Sequence, residues 1–174
     1  MIATTFSRFG ENNCYYRNVI VLGTCGKIEG AEVIQCKTEA EVLEEWSKMI
    51  RKKDPDFVTG WNIFGFDEVY IYERCKKLNI LPKVSRLSRI INEQSKFETK
   101  ELASSALGAN ILHYFNMIGR VHFDLMKVVQ KDFKLGSYKL DSVASTFFRE
   151  IVINFSESGD QQNTTVTTKG THGL

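Results

Sequence analysis

Cysteines are few and scattered in this 174-residue chain. Cys14, Cys25, Cys36 and Cys75 form no CxxC pair and have no adjoining histidine ligand motif. Such spacing reads as reduced, intracellular thiols more readily than as a zinc site or a disulfide frame. Only two prolines and twelve glycines are present, which argues against a largely disordered polymer. No stretch approaches the roughly 18 apolar residues that span a bilayer. The opening "MIATTFSRFG" also lacks the apolar centre of a secretory signal. A dominant charge is missing too: 23 basic against 21 acidic residues leave +2, which neither demands nor excludes nucleic acid. No internal repeat is found. What remains is 43% apolar and 25% charged, the make-up of one globular domain with a substantial core.

The order of elements follows from local pattern. "MIATTF", "YRNVIVLGTC" and "AEVIQCK" are β-rich runs. Thr38 and Glu41 make a capping box, and Val42, Leu43, Trp46, Met49 and Ile50 form an apolar stripe at helical spacing. "RKK" suits the last turn of that helix, and Pro55 forbids continuation. "FVTGW" is an interior strand, and Asp67 to Leu78 a helix with acids first and Arg74, Lys76 and Lys77 last. Residues 82 to 108 are polar and irregular, an excursion from the core. β character resumes in "NILHYFNMIGRVHFDLM", with Gly119 and Arg120 as a hairpin turn. "KVVQKDF" and "SYKLDSVASTFFRE" are helical, the second capped by Ser137. From Ser156 the chain is a polar loop or the start of an insertion.

The chemistry concentrates at Asn62, Phe66 and Asp67. Asp67 falls just past the carboxyl end of a strand, the edge where open α/β sheets bind ligands. The same spacing is also met by an N-cap aspartate beside a structural asparagine. Asp54 and Asp56 imitate a paired-acid motif but straddle a proline, as in a solvated helix-to-strand turn. Asp124 has two readings, a cleft carboxylate or a strand-end cap. His113 and His122 lie beside aromatics and are read as packing residues. Lysines and arginines from Lys96 to Lys139, interleaved with Tyr114, Phe115, Phe123 and Tyr138, fit a single-strand backbone track or a solvated face.

"DPDFVTGWNIFGFDEVYIYER" resembles the second exonuclease motif of the family B DNA polymerases, through Asp54, Pro55, Asp56, Thr59, Gly60, Trp61, Asn62, Phe66, Asp67, Tyr70 and Arg74. Two later blocks match in order, "GRVHFDL" and "LGSYKLDSVASTFF". The pattern is similar to delta-type replicative enzymes and to polymerases of large DNA viruses. The resemblance implies a ribonuclease-H-like α/β fold, a mixed sheet flanked by helices, incomplete at both ends. It implies a proofreading 3′-5′ exonuclease that removes mispaired nucleotides with two Mg2+ or Mn2+ ions. Asp67 would be a catalytic, metal-holding carboxylate, with Asn62 and Phe66 binding the unpaired primer end. Residues 1–155 would form the partial exonuclease domain and 156–174 the polar tail, with a strand-parting hairpin among residues 93 to 120. Implied partners are primer-template DNA and its single-stranded 3′ end, with a sliding clamp or polymerase accessory subunits, and no membrane. The implied setting is intracellular, the nucleus or a viral replication compartment.

The family also writes Asp-x-Glu on its first strand and Tyr-x-x-x-Asp on a late helix. Neither occurs here; Tyr138 and Asp141 are three apart. Palm signatures such as Tyr-Gly-Asp-Thr-Asp are absent as well. The expectation is an internal fragment that begins after the first motif, ends before the third, and is inactive alone. Loss of the strand bearing the first motif would leave an exposed sheet edge. The alternative is a non-catalytic ribonuclease-H-like module that binds single-stranded DNA or a polymerase partner.

Overall fold

The computed structural model describes residues 1–147, apart from Asn12 and residues 105–107. The three opening β-rich runs form β1 (Ile2–Ser7), β2 (Cys14–Leu22) and β3 (Glu32–Cys36), one sheet in that order. β1 pairs antiparallel with β2, setting Ile2 opposite Ile20, and β2 pairs parallel with β3, setting Ile20 opposite Ile34. The sheet is therefore mixed. Its buried face carries Phe6, Ile20 and Cys36 into the core.

α1 (Glu39–Lys53) covers that face. Thr38 caps it by accepting the Glu41 N–H at 3.2 Å, while Glu41 accepts from Lys37 N–H at 2.7 Å. The expected box is thus present, closed one residue earlier than the usual reciprocal bond. Val42, Leu43, Trp46, Met49 and Ile50 are buried as the stripe predicts, each contributing roughly 1.5–3 kcal/mol of hydrophobic stabilisation. Asp54 ends the helix in the left-handed region, with φ 47°.

β4 (Phe57–Gly60) does not join the first sheet. It pairs parallel with β7 (Val121–Asp124), aligning Gly60 with Asp124. α2 (Asp67–Lys77) and the short α3 (Leu81–Val84) follow β4. β5 (Phe97–Ser104) and β6 (Gly108–Phe115) form an antiparallel hairpin, a third sheet among the described residues. The hairpin lies within residues 93 to 120, where the resemblance put one.

Two expectations change here. Residues 82 to 108 are not an excursion from the core: Val84 and Leu87 are fully buried, and Ser85, Ser88 and Ser95 are buried beside them. Small serine hydroxyls enter the interior readily, and two apolar anchors three residues apart leave too faint a periodicity to read. Gly119, at φ 86°, does make a turn, yet that turn joins β6 to β7, which belong to different sheets. It is a crossover, and no hairpin.

α4 (Leu125–Asp132) and α5 (Leu140–Phe147) complete the described elements. Just ahead of α5, the Ser137 hydroxyl accepts from Lys139 N–H at 3.3 Å. The polar tail from Ser156 lies outside the described residues. All four cysteines are free, and burial pushes the Cys75 thiol up to about 11, so it stays a protonated packing group at neutral pH. Among the described residues, no helix is long and apolar enough to cross a membrane.

Candidate active site

The site is built where β4 ends. After Gly60 the backbone turns sharply, and Asn62 adopts φ 58°. Gly65 N–H and Phe66 N–H both donate to the Asn62 carbonyl, at 3.1 and 3.0 Å. The turn is held from below by Asp124, which the parallel register brings alongside. Asn62 N–H donates to Asp124 Oδ1 at 2.9 Å and Phe64 N–H to Oδ2 at 3.1 Å. Met126 N–H also donates to Oδ1, at 2.9 Å, so Asp124 caps α4 as well. Both oxygens of this buried carboxylate are committed to backbone donors. Of its two sequence readings, the cap is the one found.

Asp67 is the first residue of α2, behind Phe66, which provides no side-chain cap. Partial desolvation at the slot raises the Asp67 carboxyl above its ordinary range, although the residue as a whole is exposed; its own backbone amide opposes the shift and the Asp124 charge adds to it. A nearby divalent cation would reverse that preference. Phe66 is 65% exposed and Tyr70 55%, with ring planes 12° apart and centroids 6.4 Å apart. One turn of helix thus sets two near-parallel aromatic faces next to a carboxylate. Exposed aromatics in this arrangement suit stacking on nucleobases. Tyr70 was visible in the sequence only as a motif position.

Asp67 lines a cavity of about 730 Å³. One wall is β1, through Ile2 and Thr4; another is β4, through Val58 and Thr59; Leu43 and Trp46 of α1 also line it. Among the described residues β1 pairs only with β2, and β4 only with β7. Two strands with unused edges therefore border one slot.

The strongest buried feature near the site escaped sequence reasoning. Glu68 Oε1 lies 2.6 Å from His122 Nε2, both side chains buried. Glu68 Oε2 accepts Phe115 N–H at 2.7 Å, and His122 Nδ1 lies 3.2 Å from the Phe115 carbonyl. The Nε2–Oε1 approach is an ion-pair distance, and His122 Nε2 makes no hydrogen bond among the described residues. Burial raises the Glu68 carboxyl, with His122 pulling the other way. The pair fastens α2 to β6 and β7, and so fixes where Asp67 stands. Its members are 54 positions apart by their numbering, beyond any local pattern. His122 also packs edge-on against Phe64, and His113 lies 3.0 Å from Thr99 Oγ1; both match the packing role read for them.

Asp54 and Asp56 sit at the opposite, amino end of β4. The expected solvated helix-to-strand turn is found, with both side chains exposed, and it is also an ion-pair hub. Asp54 accepts from Arg89 Nε at 2.9 Å and from the buried Arg120 at 2.7 Å, while Asp56 meets Arg89 at 2.8 Å. Arg89 comes from the stretch read as an excursion, so its partners could not be assigned. The two guanidiniums hold the Asp54 carboxyl below its ordinary value.

No group of three or more His, Cys, Asp or Glu among the described residues can hold a metal ion. With Asp124 consumed by backbone donors, Asp67 is alone. A hard divalent cation needs several oxygen ligands, so these residues do not by themselves fit one. Gly65 offers a direct probe of the turn. A Cβ there would fall 2.4 Å from Asn62 Oδ1, the mobile end of a side chain. Gly65→Ala should displace the Asn62 amide while leaving the melting temperature within about 2 °C of wild type.

Comparison with known proteins agrees with this geometry. Residues 1–143 match the family model described as DNA polymerase family B, exonuclease domain. A DNA polymerase of Pyramimonas orientalis virus is 53% identical over 146 residues, covering 84% of this chain and 12% of the relative. The DNA polymerase delta catalytic subunit of Caenorhabditis elegans is 40% identical over 141 residues, 81% of this chain and 13% of the relative. That of Dictyostelium discoideum is 39% identical over 158 residues, 90% and 14% respectively. The chain thus spans about an eighth of the length of these relatives.

Proposed function

We propose a function from one premise: this chain belongs to the family B DNA polymerases, as part of their exonuclease domain. It serves in a parent DNA polymerase that trims mispaired nucleotides from the 3′ end of a primer. Asp67 acts as a catalytic carboxylate and metal ligand, completed by acidic residues from polypeptide outside these 174 residues. Asn62 and Phe66 bind the single-stranded primer end, with Phe66 against the terminal nucleotide. The observation that carries this reading is that Asp67 opens onto the slot between two unpaired strand edges. A strand entering that slot could pair with both edges and bring carboxylates beside Asp67.

The ions would be two, Mg2+ or Mn2+, supplying a more acidic water and charge neutralisation at the phosphoryl centre when bound. This chain's own part is narrower. It offers one carboxylate at the sheet rim, an amide at the turn and an aromatic face for a base. Residues 1–155 make the partial domain, and 156–174 a polar loop or the start of an insertion. On the same reading, the parent works on primer-template DNA with a sliding clamp or accessory subunits, in the nucleus or a viral replication compartment.

The test is a comparison of this chain with its parent. Purified alone, the chain should leave a single-stranded primer uncut in Mg2+ over hours, while the full polymerase shortens it. Trimming by the isolated chain that disappears in Asp67→Ala would overturn the claim that its site needs outside residues. A second reading, a non-catalytic module gripping single-stranded DNA, is favoured by the lack of a metal-holding cluster among the described residues. It would gain if the parent's reading frame carried no further exonuclease carboxylates.

A further inference from the structure

A second cavity, of about 770 Å³, lies at the amino end of β4, where Asp54 and Arg120 line it. Asp67 stands beyond the other end of that strand. Six cations border this second cavity: Lys48, Arg51, Lys83, Arg86, Arg89 and Arg120. Most are already answered. Lys48 pairs with Glu45, Lys83 with Glu44, and Arg89 and Arg120 with Asp54.

Arg51 and Arg86 are different. Arg51 donates to the Ser47 hydroxyl and the Arg86 carbonyl, and meets no carboxylate. The Arg86 side chain is exposed and has no acceptor among the described residues. Arg51 reaches the Arg86 backbone at 3.2 Å, and burial, then the Arg86 charge, disfavour its ionised form. Ser88 lines the same cavity at 8% exposure, and its hydroxyl has no hydrogen-bond partner. Two guanidiniums with no carboxylate partner among the described residues therefore line one cavity, where they outweigh the Glu93 carboxylate that also borders it.

We propose that this cavity binds a phosphoryl group, with Arg51 and Arg86 as its two forks and Lys48 and Lys83 at the rim. A phosphate monoester offers three oxygens and up to two charges, against two oxygens and one charge on a carboxylate. Two converging forks therefore fit phosphate chemistry better than an acidic side chain. The phosphoryl group can come from a free nucleoside monophosphate or from a nucleic-acid backbone. Both would be held on the sheet edge opposite Asp67. The site stands independently of any role for Asp67.

The experiment is a calorimetric titration of the chain with inorganic phosphate, deoxythymidine monophosphate, and a single-stranded oligonucleotide lacking terminal phosphates. Arg86→Gln should weaken monophosphate binding about tenfold, the loss of one charge-assisted pair. Arg86→Lys, keeping charge without the fork, should lie between. Because Arg86 is exposed and without an acceptor, Arg86→Gln should melt where wild type does. A preference for the oligonucleotide, with a salt slope that drops by about one in Arg86→Gln, identifies a backbone phosphate as the source. Stronger binding of the monophosphate identifies the free nucleotide. The proposal is overturned if all three ligands bind Arg86→Gln and wild type equally, if none binds at millimolar concentration, or if a glutamate-rich peptide of equal charge binds as tightly as phosphate.

Discussion

Asp67→Ala in the intact parent polymerase should lower 3′-end trimming by about 10²- to 10³-fold, the loss that follows from removing one group that stabilises transition-state charge. Primer extension should be untouched, because the residue belongs to the exonuclease segment. Asp67→Asn is the sharper variant: it preserves shape and removes only the charge. It should be as inactive as the alanine. Stability should barely move, since Asp67 is an exposed first-turn residue, and only the favourable contact of an acid with the helix terminus, about 0.3–1 kcal/mol, is lost. The acid's raised pKa adds a signature. A carboxyl must be ionised to hold a cation, so trimming should rise as pH passes upward through that raised value. The sign for stability is opposite. A carboxyl raised in the folded state contributes most below its ordinary value of 3.8 and loses that contribution as pH increases. Asp67→Asn should flatten both trends. Trimming by Asp67→Asn within threefold of wild type would remove this residue from the chemistry.

The turn that presents Asp67 was legible because its ingredients are local. A strand-forming run, a glycine at each bend and acids opening a helix occupy consecutive positions, and each has a steric or electrostatic meaning of its own. The capping of α1 by Thr38 and the burial of its stripe were legible for the same reason. The register of β4 against β7 was not. Their partners are sixty-four positions apart, as Phe57 opposite Val121 shows, and nothing in either strand names the other. Asp124 therefore kept two readings until the pairing brought the Asn62 and Phe64 N–H groups to its oxygens, beside the local Met126 N–H. Arg89 and Glu68 hid similarly: one in a stretch of serines and prolonged polarity, the other as an ordinary acid in a helix's first turn. Long-range polar pairs depend on topology, and topology is set by core packing rather than by the polar residues themselves.

The buried Glu68–His122 pair makes the clearest stability prediction. Glu68→Ala should destabilise the fold by about 3–5 kcal/mol, the usual result of breaking a buried pair from one side. The loss has two identifiable parts: Phe115 N–H is left without its acceptor, and His122 Nε2 without its neighbour. Glu68→Gln separates them, because its amide oxygen can still accept from Phe115 while the charge is gone. It should therefore recover a large share of the stability. The pH dependence distinguishes the variants further. The Glu68 carboxyl is raised by burial, so its stabilising contribution is complete below the ordinary value of 4.5 and declines as pH climbs through the raised value. The glutamine variant lacks that titration, so the gap between it and wild type should shift in its favour as pH rises from about 4.5 toward neutrality. Thermal melts across that range measure the effect. If alanine and glutamine prove equally harmless, the pair is not what anchors α2, and Asp67 must be held at the slot by apolar packing through Ile71 and Cys75 alone.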